Sequence, residues 1–362
     1  MQSENFLKTD LTSTDRPDVR SKSNKTKIII WVHAITFLLG FALLVYVIYK
    51  IGYDKIVDSL AAVGVGFFVV LALNLSRHLG RAASLFLAIE PKYRTLGFWS
   101  VVAARFGGEA VNFFSFAGPF LGDATKAVLL KKDLPLTHGA SAVIVDNILY
   151  YLSVILVVLA GVATLIVAFG SRSANLNNVL LMIVIVAVAG FAALAMAIKY
   201  SVTPFTTIFT AFERRGWAPR FLVRRKPAIL EIETNVFQFY HQRRSDFFKV
   251  FAISIGVHAL SVVEVLLALK FLGYDAQVST AFVTESLTKV INVVFSFVPG
   301  TIGVYEGGNG IILQILGYSA AAGVTLALVR RVAILFSTSV GLVILLWRAA
   351  ARGAKHLAKA DS

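Results

Sequence analysis

The chain contains nine apolar stretches, and most of them reach the length of about 20 residues that carries a helix across a bilayer. They are Ile28–Tyr49, Ala61–Ile89, Phe98–Leu121, Ala140–Phe169, Val179–Ile198, Phe251–Leu272, Thr280–Val298, Val304–Leu316 and Ala320–Trp347. Hydrophobic residues make up 57% of the chain, whereas a soluble domain has about 45–50%. The stretches lack the alternation of apolar and polar residues that membrane-spanning strands show. We therefore expect each to be a helix, in which the backbone N–H and C=O groups bond to one another. The sequence therefore predicts an all-α, polytopic helical membrane protein.

Several kinds of chemistry are excluded by composition. The chain has no cysteine and six scattered histidines without an H-x-x-x-H pair, so the common metal sites and a cysteine nucleophile are not expected. We predict no cofactor, no metal and no enzymatic activity. We attribute the net charge of +15 to basic residues in cytoplasmic loops, which fix the orientation of the helices in the membrane. No nucleic-acid partner is predicted.

Basic residues set the expected orientation. The segment 199–249 has ten lysines and arginines against four acids, and four more basic residues follow Trp347. The loops at 170–178 and 273–279 carry one charge each. By the positive-inside rule, both termini and the 199–249 segment are predicted to lie on the cytoplasmic side of the cytoplasmic membrane. Residues 1–27 are predicted to form a disordered cytoplasmic tail, and residues 349–362 form a second cytoplasmic tail.

Two apolar stretches cannot be simple crossings if this orientation holds. Basic residues stand on both sides of the region 98–132, so it is predicted to enter and leave from the cytoplasmic side. The region 280–316 must likewise enter and leave from the outside. The prediction is about six full spans and two opposed re-entrant hairpins, one in each membrane half (28–198 and 250–348).

The two hairpins resemble each other in sequence, which predicts an inverted repeat. Asn112 precedes Pro119 by seven residues, and Asn292 precedes Pro299 by the same distance. The residues predicted to break the helices are Gly118, Pro119, Gly122, Pro299, Gly300 and Gly303. The two asparagines are expected to satisfy the backbone groups freed at the breaks. Inverted repeats with broken helices are typical of secondary transporters.

Charged residues lie inside the apolar stretches, where each costs roughly 2.5–3.5 kcal/mol on the mildest scale. They are Arg77, Arg81, Arg105, Glu109, Asp146, Glu264, Glu285, Lys289, Arg330 and Arg331. Arg105–Glu109 and Glu285–Lys289 have i,i+4 spacing with reversed signs, so each pair shares one helix face. They form either self-neutralising ion pairs or a substrate site. Arg77 and Arg81 could equally extend to lipid phosphates, and Asp146 is compatible with an ordinary acid near the interface.

Several short motifs resemble a known family. They are Arg81, G-P-x-x-G-D at 118–123, V-D-N at 145–147, V-P-G-x-x-G-x-x-E at 298–306 and L-V-R-R at 328–331. This arrangement is similar to the transmembrane region of lysylphosphatidylglycerol synthases and the flippase-like proteins around it. The resemblance implies lipid translocation. Asp146 and Asn147 replace a more usual acid–Arg pair, and without a large soluble domain after the last span no aminoacyl transfer is expected.

The leading hypothesis is a flippase-like transporter that holds a polar, preferably anionic, lipid headgroup between the hairpins. The residues predicted to bind it are Arg81, Arg105, Glu109, Asn112, Asp123, Glu285, Lys289, Asn292, Glu306, Arg330 and Arg331. The alternative is a non-transporting scaffold that organises lipid-synthesis proteins through the 199–249 segment. The two differ in which variants lose function: those of the intramembrane charges or those of that segment.

Overall fold

The structure is a computed structural model that describes residues 49, 53–115, 119–169, 174–200, 204–215, 223 and 225–358. This part of the chain folds into helices without any strand. The helices are α1 Tyr53–Val63, α2 Gly66–Ala88, α3 Phe98–Phe114, α4 Pro119–Leu130, α5 Leu136–Phe169, α6 Ala174–Lys199, α7 Pro204–Arg214, α8 Lys226–Gln242, α9 Arg244–Phe271, α10 Val278–Val294, α11 Val304–Ile315 and α12 Ala320–Ala358. The predicted tail 1–27, the predicted span Ile28–Tyr49 except Tyr49, the turn residue Gly118 and residues 359–362 lie outside the described residues.

Three of the described helices are long and apolar enough to cross a membrane. They are α5, α9 and the Ala320–Ala351 part of α12. Within α6, the shorter stretch Asn177–Ala193 is also apolar. The chain is therefore an integral, all-α membrane protein, as the sequence predicts, and the count of six spans remains a prediction.

The predicted span Ala61–Ile89 is not one continuous helix. The chain breaks between Val63 and Gly66, and α1 and α2 meet there at an angle of 99°. Gly64 has a φ of +57°, a left-handed conformation that glycine adopts without steric cost and that commonly ends a helix. Two other boundaries also differ from the sequence interpretation: the 199–249 segment contains the helices α7 and α8, and α12 continues to Ala358.

Two helical hairpins occupy corresponding places in the chain. The first consists of α3 and α4, and the second of α10 and α11, with each pair packed side by side. The helices α3 and α10 have 17 residues each, and their first residues, Phe98 and Val278, are 180 positions apart. A 3₁₀ turn at Pro299–Thr301 joins α10 to α11, with Gly300 at a φ of +58°.

Helix packing follows the same correspondence. The helix α2 packs along α9, which stands at the equivalent place in the second half. The first arm of each hairpin packs on the long helix of the other half, so that α3 contacts α12 and α10 contacts α5. The hairpin of each half is therefore packed against a long helix of the other half.

The apolar core is divided into two main clusters. One cluster includes Val70 of α2 and Leu269 of α9, and the other includes Leu85 of α2 and Val250 of α9. Along α2, Arg77 lies between the two clusters. The charged residues midway along these helices, Arg77 and Glu264, thus lie between two apolar layers.

Close helix packing at Gly341 yields a first prediction. A Cβ atom at this α12 position would lie 2.2 Å from the carbonyl oxygen of Phe106 in α3. Gly341→Ala is expected to push α12 away from α3 and lower the free energy of unfolding in an SDS titration by about 1–3 kcal/mol. Gly256→Ala is the control, because a Cβ at this α9 position meets nothing within 4 Å. Equal stability of the two variants would contradict the close contact.

Candidate functional site

A cavity of about 440 Å³ opens among the hairpins and the long helices, and most of its charged lining comes from within the apolar segments. Seven cationic side chains and four carboxylates line it. They are Arg77, Arg81, Arg105, Lys126, Lys289, Arg330 and Arg331, with Glu109, Asp123, Glu264 and Glu285. All sequence-predicted binding residues line this cavity except Glu306, which contacts the lining residue Arg331. The structure thus brings together residues that the sequence separates by up to 250 positions.

The first hairpin carries one network of charges. Arg105 Nη2 lies 3.0 Å from Glu109 Oε1, so the i,i+4 pair forms. Lys126 of α4 places its Nζ 3.1 Å from the same Glu109 oxygen and 2.9 Å from Asp123 Oδ1. Asn147 Nδ2 donates a 2.6 Å hydrogen bond to Asp123 Oδ2. The network links the two arms of the hairpin to α5.

Arg81 joins α2 to α5 beside this network. Its Nη2 lies 2.8 Å from Asp146 Oδ2, and its guanidinium carbon is 3.9 Å from the centre of the Tyr150 ring. Ser84 also donates a hydrogen bond to Asp146. Asp146 is 1% exposed, so the interpretation as an ordinary interface acid is wrong: it is a buried counter-ion. Arg81 is likewise buried and paired, so in this conformation its side chain does not extend out of the helix bundle to phosphates at the membrane surface.

A second network connects four helices around the other hairpin. Lys289 Nζ lies 2.8 Å from Glu285 Oε1. Arg330 of α12 reaches both Glu285 Oε2 and Glu264 Oε1 at 2.9 Å. Arg77 Nη1 lies 2.5 Å from the second oxygen of Glu264. Positive and negative charges alternate along this series of contacts, which runs from Lys289 on α10 through α12 and α9 to Arg77 on α2. Each of the two carboxylates therefore has two cationic partners.

Glu306 and Arg331 stabilise the helix break at 299–303. Glu306 Oε2 accepts a 2.8 Å hydrogen bond from the backbone N–H of Gly303, just before α11. Arg331 Nη2 lies 2.6 Å from Glu306 Oε1, and the guanidinium also donates to the carbonyls of Gly300 and Thr301. These two charged residues, rather than the expected Asn292, satisfy the backbone groups freed at the break. The geometry gives a physical reason for the spacing of P-G-x-x-G-x-x-E and the downstream arginine.

The tip of the second hairpin touches the first hairpin. A Cβ atom at Gly300 would lie 2.9 Å from the ring of Phe113 in α3. Both Phe113 and Gly300 line the cavity, as do the two sequence-predicted asparagines, Asn112 and Asn292. Movement of one hairpin against the other would therefore reshape the cavity directly.

Several guanidinium N–H groups at the cavity lack a partner within the described part of the chain. They are Arg81 Nε and Nη1, Arg105 Nε and Arg330 Nη1, all buried. An unsatisfied buried donor costs about 1–3 kcal/mol. A ligand rich in acceptors, such as a phosphate, would satisfy such donors and match guanidinium geometry. No group of three or more histidines, aspartates and glutamates among the described residues could hold a metal ion.

Sequence reasoning did not assign three charged lining residues, Arg77, Lys126 and Glu264, to the site. A signal for Lys126 exists in the repeat, because Lys126 stands 180 residues before Glu306. The same offset relates Arg105 to Glu285, again with reversed sign. Applied along the whole chain, the offset would have identified Lys126 as a site residue.

Comparison with known proteins gives one match. The model of the family described as Lysylphosphatidylglycerol synthase TM region matches residues 31–341, a range that includes the whole cavity lining. No curated protein and no solved structure matches the chain.

Proposed function

Because the chain belongs to the lysylphosphatidylglycerol synthase TM region family, we propose that it is a flippase-like lipid transporter. It moves a lipid with an anionic headgroup between the leaflets of the cytoplasmic membrane, without covalent chemistry. The family's name makes lysylphosphatidylglycerol and the phosphatidylglycerol within it lipids to test. Phosphatidylglycerol is the anionic one of the two, because the two ammonium groups of the lysyl ester give that lipid a net positive charge. The acyl chains remain in the bilayer while the headgroup enters the cavity.

The buried, unpaired guanidinium donors are the observation that carries this proposal. Asp146 and Glu306 lie outside the cavity lining and form ion pairs with Arg81 and Arg331. Together with the four lining carboxylates they make six negative charges, against seven cations. The excess of one positive charge and the free donors of Arg81, Arg105 and Arg330 favour an anionic group such as a phosphodiester, which small side-chain movements would bring into contact. Bringing that group into contact with them would offset much of its desolvation cost.

The repeat supports a transport cycle. The offset of 180 residues between α3 and α10 and the reciprocal packing of α3 on α12 and α10 on α5 are the arrangement expected of two related halves. The distribution of basic residues in the loops predicts that the halves are inverted and that both termini lie on the cytoplasmic side. Rocking of one half against the other about the Phe113–Gly300 contact would expose the cavity alternately to the two leaflets.

Reconstitution into vesicles tests the proposal. The purified protein is incorporated into liposomes that contain fluorescent phosphatidylglycerol, its lysyl ester or phosphatidylcholine, and translocation is followed by dithionite quenching of the outer leaflet. Phosphatidylglycerol is expected to move severalfold faster than in empty vesicles, whereas phosphatidylcholine and the lysyl ester, which carry no net negative charge, are expected to show smaller effects. Equal rates in protein-containing and empty vesicles for all three lipids would exclude them as substrates and remove the support for transport.

A further inference from the structure

The helix α7 has two unlike sides. At 100° per residue, Ile208, Phe209 and Phe212 fall on one side, whereas Thr207 and Arg214 fall on the opposite one. Ile208 is 56% exposed and Phe212 47%. An 11-residue helix that exposes large apolar side chains between a membrane helix and a basic segment has the composition of an interfacial helix.

The orientation of α7 is fixed by polar contacts with α8. Glu233 of α8 accepts hydrogen bonds from the backbone N–H and the hydroxyl of Thr206. Lys226 Nζ lies 2.6 Å from Glu213 Oε2 at the other end of α7. These contacts use the flank of α7 between its apolar and polar sides, so they leave the apolar side turned away from α8.

The position of α7 is set by α5 and α6. The helix α8 packs on α5 near its beginning, where Thr137 donates a 2.8 Å hydrogen bond to Glu231. The apolar helix α6 ends at Lys199, and α7 begins at Pro204. The four intervening residues reach at most about 14 Å. α7 therefore lies close to the plane where α5 enters and α6 leaves the apolar region.

We propose that α7 lies in the headgroup region of the leaflet at the beginning of α5, with Ile208 inserted and basic residues in contact with anionic lipids. Charge favours this occupant over an ordinary protein surface: the 199–249 segment carries ten basic residues and four acids. Each lysine or arginine near an anionic bilayer adds attraction that decays within a Debye length. Contact with α8 would transmit this attachment to α5, whose residues Asn147 and Tyr150 line the cavity.

Spin labelling of the intact protein tests this placement directly, because the chain contains no cysteine. The variants Ile208→Cys and Arg214→Cys are labelled with a nitroxide and reconstituted in vesicles of phosphatidylcholine, with or without phosphatidylglycerol. Accessibility to oxygen, which concentrates in lipid, is compared with accessibility to a water-soluble nickel chelate. Arg214→Cys is the matched control, since it places the same label on the opposite, exposed side of the same helix.

The oxygen-to-nickel ratio is expected to be severalfold higher at position 208 than at 214, and to rise at 208 when phosphatidylglycerol is added. Equal ratios at the two positions would overturn the proposal. Low accessibility of position 208 to both reagents would also overturn it, because this result indicates a protein partner on α7. A ratio at 208 unchanged by phosphatidylglycerol would refute the anionic contact. The measurement does not depend on transport, so its result tests the placement of α7 separately from the proposed function.

Discussion

Arg330→Met is expected to give the largest loss of stability among single cavity variants. Arg330 is 4% exposed and bridges Glu264 and Glu285, which are 0% and 4% exposed. Its removal leaves both buried carboxylates short of one cation. Breaking a buried ion pair on one side typically costs about 3–5 kcal/mol. An SDS titration of the purified protein, monitored by tryptophan fluorescence, measures the change in the free energy of unfolding.

A second substitution separates lost pairing from lost packing. In the double variant Glu285→Gln, Arg330→Met, the side chain at 285 is neutral, Glu264 keeps its bond to Arg77, and Lys289 loses the charge of Glu285. The double variant is expected to be less destabilised than the sum of the two single variants, with a coupling energy of about 1–3 kcal/mol between the two sites. The exposed Arg244→Ala is the surface control and should change stability by less than about 0.5 kcal/mol. Strictly additive effects would contradict the Glu285–Arg330 bridge.

Arg331→Ala is expected to release the second helix break and to abolish transport. Arg331 is 1% exposed and connects Glu306 to the carbonyls of Gly300 and Thr301. Without it, Glu306 keeps only its hydrogen bond to Gly303, and the two carbonyls lose their charged donor. We expect about 3–5 kcal/mol of destabilisation, with translocation at the level of empty vesicles.

A lysine at position 331 separates the role of the charge from the role of the planar guanidinium group with its several N–H donors. Arg331→Lys keeps the charge but provides one compact ammonium group in place of three separate contacts. This variant should therefore keep the ion pair with Glu306, recover part of the stability and remain deficient in transport. Full transport activity in Arg331→Lys would show that charge alone, rather than the shape of the break, is required.

Local rules account for the part of the site that the sequence predicted well. Arg105 and Glu109 share a helix face at i,i+4 regardless of tertiary structure, and the same holds for Glu285 and Lys289. The high cost of intramembrane charge also made Glu264 and Arg330 candidates for pairing. Residue spacing could not predict which charged residues on different helices pair with each other. Nothing in the sequence connects Arg81 specifically to Asp146.

The helix break at Gly64 escaped sequence reasoning for a related reason. A glycine inside an apolar run is compatible with a continuous helix at a cost of about 1 kcal/mol, and only the packing around it fixes a φ of +57°. At Pro299 and Gly300, by contrast, the missing N–H group of proline makes a break the lower-energy outcome. The role of Glu306 at that break depends on Arg331, which approaches from another helix and could not be inferred from spacing.

The most direct test of the central claim measures lipid translocation by the double variant Glu285→Gln, Arg330→Met in the vesicle assay. The SDS titration selects conditions in which this variant is folded; its cavity has then lost one cation and one carboxylate, and with Arg330 one of the free guanidinium donors. Labelled phosphatidylglycerol is then expected to move no faster than in empty vesicles, while wild-type protein at the same density moves it severalfold faster. Translocation by the folded double variant at the wild-type rate would contradict passage of the headgroup through this cavity.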